Sequence, residues 1–416
     1  MDHTNRTCSV PTSGPGSTAA KRHTAAPPTG RGIKDEILAI VADAWRTGES
    51  VGVATVVATR GTAPRPIGAS LMVAPDGTVS GSVSGGCVEG AVYELALEVI
   101  ADGTPVLESY GFSDDDAFAV GLTCGGELDI YVERVDATSF PEFGLLLDDV
   151  AAGRPVALAT IIDHPDGRFR GRRLVVRPGD PALGSCGTLG GEHMDRAVYD
   201  DALGLLAAGE NGIVKYGPDG ERLGDGMQVF IHSYAPRARM LVFGAIDFAA
   251  SVASLGGYLG YDVTVCDARE VFATRKRFPT ADDVVVDWPH RYLASERDAG
   301  RIDERTVIIV LTHDPKFDVP LLQVALDLEV AYVGAMGSRR THDDRLERLR
   351  ESGVSLEAIG QLRSPIGLDL GGRTSEETAV SIIAEVIAHR WGGSGESLSQ
   401  TRGAIHQPVG RHLVTS

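Results

Sequence analysis

Cysteine is scarce and shows no pairing pattern: Cys8, Cys87, Cys124, Cys186 and Cys266 make five, and no two stand in a CxxC or other zinc-like spacing. An odd set without such spacing argues against a disulfide scaffold and against structural zinc, so each thiol is judged by its neighbours. Long apolar runs are also missing. No stretch reaches the roughly 20 residues that a membrane span needs, and residues 1–31 hold no apolar segment of a secretory signal, so a cytoplasmic protein is expected. Positive charge is in deficit. Thirty-nine Lys and Arg against 57 Asp and Glu leave a net charge of −18, which opposes generic binding to nucleic acid or anionic membrane. What is present is an apolar fraction of 43% in 416 residues, enough to give two or three domains a core each.

Residues 1–31 are rich in Thr, Ser, Pro, Gly and Ala and poor in large apolar side chains, so they cannot offset the entropy of ordering and read as a disordered tail. Order is expected from Ile33, where Ile37, Leu38, Ile40, Val41 and Trp45 recur at helical spacing. β-rich runs follow at Val51–Thr59, Ser70–Ala74 and Thr78–Val83, with an Asp76-Gly77 turn between the last two. A helix over Val88–Ile100 ends at Asp102-Gly103, and strands at Val106–Tyr110 and Glu127–Val135 complete the unit.

The same order then recurs in the chain. VGVATVVA at Val51–Ala58 echoes VALATIID at Val156–Asp163, and SLMVAPDG at Ser70–Gly77 echoes RLVVRPGD at Arg173–Asp180. SGGCVEGAVYELAL (Ser84–Leu97) matches LGGEHMDRAVYDDAL (Leu189–Leu203) with one extra residue, and SYG at Ser109–Gly111 matches KYG at Lys215–Gly217. An internal duplication follows from this. The domains expected are a tail at 1–31, a first α/β repeat at 32–136, a degenerate second repeat at 137–236, a third domain at 237–393, and a flexible tail at 394–416.

The third domain alternates strand and helix, with β-rich runs at Met240–Phe243, Asp262–Cys266, Val284–Val286, Val307–Leu311 and Ala331–Val333, which implies a doubly wound parallel sheet. Arg239–Arg269 reads as a strand, a glycine turn, a helix and a strand ending in Asp267, the grammar of a Rossmann βαβ unit. Gly244 supplies the tight turn, and Asp267 stands where an acidic residue bonds a ribose hydroxyl. The pattern is incomplete, because Ile246 and Ala249 occupy the second and third glycine positions and Asp247 puts a negative charge beside them. Ordinary dinucleotide binding is weakened by that substitution. Further polar clusters fall after later strands: Thr312-His313-Asp314, the GAMGSRR run Gly334–Arg340 as an anion site, and the Gly-rich SPIGLDLGGR at Ser364–Arg373. Thr374 and Glu377 stand at capping-box spacing before the last helix.

Cys87 lies in Ser84-Gly85-Gly86-Cys87-Val88-Glu89 at an expected helix start, where amide dipoles favour a thiolate, the nucleophilic and metal-binding form. Cys124 is flanked by glycines in Gly121–Gly126. The second repeat has Glu192 in place of Cys87 and a shorter loop, Gly217–Gly226, in place of the one carrying Cys124. The fold alone therefore does not require these thiols. Cys186 and Cys266 read as packing residues.

GTAPRPIGASLMV (Gly61–Val73), SGGCVEG (Ser84–Gly90), GLTCGGELDIYVE (Gly121–Glu133), YVGAMGSRR (Tyr332–Arg340) and SPIGLDLGGRTSEETAVSIIAE (Ser364–Glu385) together resemble the XdhC/CoxI family. The resemblance implies an accessory factor for molybdenum hydroxylases such as xanthine dehydrogenase and carbon monoxide dehydrogenase. Such a factor binds the molybdenum cofactor (molybdopterin), assists its sulfuration with a cysteine desulfurase and inserts it into the apo molybdenum hydroxylase. The chain is then a maturation factor or chaperone more than a classical dehydrogenase, with a homo-oligomer expected. On this reading Cys87 and Cys124 face the molybdenum, a thiophilic centre, and Glu89 either moves a proton or caps the helix. The cofactor-binding candidates are Gly85, Gly86, Gly125, Gly244, Asp267, Arg269, His313, Gly337, Ser338, Arg339 and Arg340. The alternatives are an NAD(P)-dependent oxidoreductase built on the Rossmann domain, and a docking protein with a vestigial nucleotide fold.

Overall fold

The computed structural model describes residues 33–61, 65–111, 126–179, 185–312 and 314–402. The expected tail at 1–31, Cys8, Cys124, Gly125 and His313 lie outside the described residues. So does 403–416 of the expected C-terminal tail. The chain divides into two compact units that meet between Pro236 and Arg237. No described helix is long and apolar enough to cross a membrane.

The first unit holds the duplicated halves. Helix α1 (Ile33–Thr47) leads into β1 (Val51–Arg60), β2 (Ser70–Val73), β3 (Val79–Gly81), α2 (Glu89–Asp102), β4 (Val106–Tyr110) and β5 (Glu127–Val135). The second half runs α3 (Phe143–Ala151), β6 (Val156–Asp163), β7 (Arg173–Val176), β8 (Ser185–Gly187), α4 (Glu192–Ala208), β9 (Gly212–Tyr216) and β10 (Met227–Tyr234). The sheets are antiparallel, with orders β3-β2-β1-β5-β4 and β8-β7-β6-β10-β9. These are the same topology written twice.

Even the irregularities repeat. Pairing between β1 and β5 skips Val57, and pairing between β6 and β10 skips the equivalent Ile162. Such a bulge sets two residues against one and re-aims a side chain. Val57 and Ile162 both enter one small core with Tyr131 and Phe230, which themselves hold matching positions in β5 and β10. The two sheets thus bury their bulges against each other in a pseudo-symmetric contact. On its other face each sheet packs its own helix: Ala54, Val56, Leu71 and Val73 against Val92, Ala96 and Val99 of α2, and Ala157, Ala159, Ile161 and Leu174 against Ala197, Val198 and Ala202 of α4.

The second unit contains a six-stranded, wholly parallel sheet: β11 (Arg239–Phe243), β12 (Asp262–Asp267), β13 (Asp283–Val286), β14 (Val307–Val310), β15 (Tyr332–Ala335) and β16 (Leu362–Arg363), ordered β13-β12-β11-β14-β15-β16. This is the Rossmann order. Helices α5 (Asp247–Tyr258) and α10 (Ser375–Trp391) cover one face, while α6 (Pro289–Asp298), α7 (Pro315–Ala325) and α8 (Arg339–Glu351) cover the other; α9 (Leu356–Gln361) precedes β16. β16 goes beyond the five expected strands. With only Leu362 and Arg363, it carries no alternation for a pattern to detect. Helix α10 starts in the expected capping box, with Thr374 and Glu377 satisfying each other's backbone amides.

Candidate functional site

In the first unit, α2 ends at Asp102 and returns through a short turn to β4, so its N-terminus points toward the far end of that strand. β1 also ends there and β5 begins there, since Arg60 pairs with Glu127 and Tyr110 with Leu128. One edge of the sheet therefore gathers the Ser84–Glu89 turn, the end of β1 at Arg60, the end of β4 at Tyr110 and the start of β5 at Glu127.

The turn is held by Glu89. Its Oε1 accepts from Ser82 Oγ at 2.7 Å and Ser84 N at 2.9 Å, and its Oε2 accepts from Gly86 N at 2.7 Å and from Ser84 Oγ. Ser84 Oγ in turn accepts from the amides of Cys87 and Val88, both at 3.0 Å, and Ser82 Oγ accepts from Gly85 N at 3.0 Å. Burial by itself would raise the Glu89 pKa, but hydrogen bonds from Ser84 and Ser82 reverse that and hold it at about 2. A carboxylate so stabilised carries no proton near neutrality. Its geometry is that of a clamp shaping the Gly85-Gly86-Cys87 turn. Cys87 is half-buried immediately before Val88, the N-cap of α2, which has no side-chain cap.

The second half keeps the clamp and drops the cysteine. Asp195 accepts from Leu189 N at 2.7 Å and Thr188 Oγ1 at 2.8 Å, closing the turn before α4 as Glu89 closes the one before α2. Cys87 has only the exposed Glu192 and His193 opposite it. A second asymmetry escaped the sequence reading. Asp129, 9% exposed, accepts from Ser109 Oγ at 2.7 Å and Arg60 Nη2 at 3.0 Å, while Arg60 Nη1 donates to Glu127 at 3.0 Å. The second copy has Pro165, Lys215 and Gln228 at the Arg60, Ser109 and Asp129 positions and cannot form this network. The remaining described thiols match packing roles. Cys186 packs against the core shared by α1 and α3, and Cys266 is buried, with its pKa pushed up by burial and its Sγ donating to Asp287 O.

In the second unit the sheet order reverses between β11 and β14, where open α/β sheets bind ligands. Gly244, at φ 111°, brings the two strands together: a Cβ there would lie 3.0 Å from Thr312 N. Asp267 is 2% exposed, and protein donors engage both its oxygens. Ala245 N donates to Oδ2 at 2.7 Å, while Arg269 contributes its amide and Nε to Oδ1, both at 2.9 Å, and Nη2 to Oδ2 at 2.8 Å. The acidic residue set for a ribose thus holds the turn and Arg269. Asp247, in the first turn of α5, pairs with Arg277 at 2.9 Å.

After β15, Ser338 caps α8 by accepting from Thr341 N at 3.1 Å, and Gly337, Arg339 and Arg340 flank it, both arginines exposed. The residues that organise this edge were not foreseen. Arg345 of α8 is 3% exposed and pairs at 3.0 Å with Asp318 of α7, which also accepts from Thr312 Oγ1. Arg345 further donates to Met336 O at 2.8 Å and Ser364 Oγ at 2.9 Å, tying together the ends of β14, β15 and β16. A signal existed in the sequence: Asp318 sits one helical turn before Leu321 and Leu322, and Arg345 one turn before Leu349, so each charge lies on an apolar stripe.

The profile described as the XdhC Rossmann domain matches residues 240–386, and that of the XdhC and CoxI family matches residues 44–111 and again 149–217. The chain belongs to the XdhC/CoxI family. Both duplicated halves thus carry the family's sequence, and the parallel sheet is its Rossmann domain. Among similar family relatives is the molybdenum cofactor insertion chaperone PaoD of Escherichia coli, 29% identical over 85% of this chain and 88% of that protein. A Bacillus subtilis protein described as a probable xanthine dehydrogenase subunit is 25% identical over 82% of this chain and 94% of its own length. A crystal structure described as a xanthine dehydrogenase from Bacillus halodurans shares the fold, with TM-score 0.62 at 24% identity over 88% of this chain and 98% of that one.

Proposed function

We propose that this XdhC/CoxI protein is a molybdenum cofactor insertion chaperone: it binds the molybdenum cofactor and hands it to an apo molybdenum hydroxylase. The observation that carries the reading is its likeness, along 85% of the chain, to an E. coli protein named for that task. The asymmetry of the duplicated unit supports it. A half-buried thiol on a clamped glycine turn occurs in one copy, and the other copy preserves the clamp without the thiol. Cys87 is the residue assigned to the soft metal of the cargo, with Cys124 as the second thiol and Gly85 and Gly86 giving close approach. Glu89 is assigned to shaping the turn. The exposed Arg339 and Arg340 beside the Ser338 cap are the candidates for the cofactor's phosphate. Sulfuration of the held cofactor, with a cysteine desulfurase as donor, belongs to the same reading.

An NAD(P)-dependent oxidoreductase is favoured by the Rossmann strand order and opposed by Asp267, whose oxygens are engaged by Ala245 and Arg269. The deciding experiment is metal and pterin analysis of gently purified protein, followed by mixing with an apo-hydroxylase. Stoichiometric molybdenum and pterin that activate the hydroxylase are expected. Bound NAD(P) with substrate-dependent absorbance change, and no molybdenum, would replace this reading with the oxidoreductase.

A further inference from the structure

Helix α10 is apolar on two faces. Ala379, Ile382, Ile383 and Val386 enter the core against the parallel sheet, the usual arrangement of an amphipathic helix. Val380, Ile387 and Trp391 face away from it, each between 43% and 51% exposed. With the half-buried Ala384 they stand at i, i+4, i+7 and i+11, the alternating spacing of a seam along which two helices pack. At 3.6 residues per turn the four fall within about 60° of one another around the helix. The flank beyond them is occupied by the chain itself: Ser381 Oγ donates to Leu368 O, and Glu385 accepts from Gly367 N and the Tyr332 hydroxyl. The stripe is therefore a separate face. Large apolar side chains aligned on a surface mark a contact site.

The charges at its two ends say what covers it. Glu376 lies one turn before Val380 at the acidic start of the helix, and Arg390 lies in the basic last turn, its guanidinium carbon 4.8 Å from the centre of the Trp391 ring. Both are exposed, and both fall on the same flank of the stripe, about 40° and 80° around the helix from Val380. Such a face complements itself when reversed. A parallel copy would set Glu376 against Glu376 and Arg390 against Arg390. An antiparallel copy centred between Ile383 and Ala384 sets Val380 against Ile387 of the partner subunit. It also brings Glu376 level with Arg390 of the partner subunit to within about 1.5 Å, one residue's rise. Opposite ends of the two helix dipoles then lie together, and the two-fold axis makes every contact twice.

We propose that α10 pairs antiparallel with α10 of a second copy of this chain, through Val380, Ala384, Ile387 and Trp391. The pairing is independent of the cofactor reading above. A seam of about three turns is at the small end of specific interfaces, so a dimer with Kd on the order of 10 µM is expected.

The test is sedimentation equilibrium of the full chain across the micromolar range, with thermal melts confirming that each variant is folded. The wild type is expected to move from monomer to dimer. Ile387→Glu places a charge in the seam twice and is expected to weaken the dimer at least about tenfold. Should it fail to fold, Val380→Lys is expected to act in the same direction. Arg390→Glu sets like charges level and is expected to weaken the dimer about threefold, and Glu376→Arg added to it is expected to restore the wild-type value. A wild type that stays monomeric, or a dimer left intact by a folded seam variant, would overturn the interface. Arg390→Glu dimers as tight as the wild type, or a double variant no tighter than Arg390→Glu alone, would overturn the antiparallel pairing.

Discussion

The two halves of the first unit share what a fold needs and differ in what a site needs. Strand order, the bulges at Val57 and Ile162, the left-handed glycines Gly68 and Gly171, and the acidic clamps Glu89 and Asp195 occur in both. Cys87 and the Arg60–Ser109–Asp129 network occur in the first alone. Duplication within one chain acts as a control, since both copies fold under the same constraints. Features found in one copy only are not demanded by the architecture.

Breaking the shared contact should have the largest effect. Phe230→Ala removes a ring, 5% exposed, from the small core where the two bulges meet. It is expected to cost about 4 kcal/mol in urea unfolding, in the range of large-to-small core substitutions. A loss below about 1 kcal/mol would mean that the copies do not depend on that contact.

The clamps come next. Glu89→Gln is expected to cost about 2 kcal/mol at neutral pH, as loss of hydrogen bonds to a charged acceptor does. Asp195→Asn should destabilise in the same direction while leaving cofactor binding intact. The pH dependence has a definite sign. Because the Glu89 pKa falls from its ordinary 4.5 to about 2 in the fold, its contribution is fully present above about pH 4.5 and is lost as pH drops toward 2. Stability of Glu89→Gln, followed by thermal melts across that window, should fall less steeply than that of the wild type. Parallel curves would show that another group carries the acid sensitivity.

The smallest effects sharpen the asymmetry. Ser109→Ala takes a donor from Asp129 and is expected to cost about 1 kcal/mol. Lys215→Ala, its counterpart in the second copy, should change stability by no more than about 0.5 kcal/mol. Similar losses in the two variants, measured by urea unfolding, would remove the network as a distinguishing feature.

Local patterns were legible, and partners distant in sequence were not. Strands β4 and β5 fall residue for residue where alternation and turn signals put them, and α2 begins one residue later than expected. The duplication was visible because equivalent runs keep their order. The clamp was half-visible: Glu89 lies close in sequence to the groups it holds, but only the fold turns all four donors onto its two oxygens. Arg60 and Asp129 stand 69 residues apart in sequence and meet only through pairing of β1 with β5. Asp267 was read from spacing as a ribose acceptor. Spacing locates the end of the strand but is silent about Arg269, two residues on, which folds back onto the carboxylate.

The central claim is that the first copy, through Cys87, holds the cofactor. Titration of isolated molybdenum cofactor into the wild type, Cys87→Ser and Asp195→Asn tests it most directly, with thermal melts confirming that each protein is folded. The expected result is affinity at least about tenfold weaker for Cys87→Ser and unchanged for Asp195→Asn. Undiminished binding by folded Cys87→Ser would contradict the account.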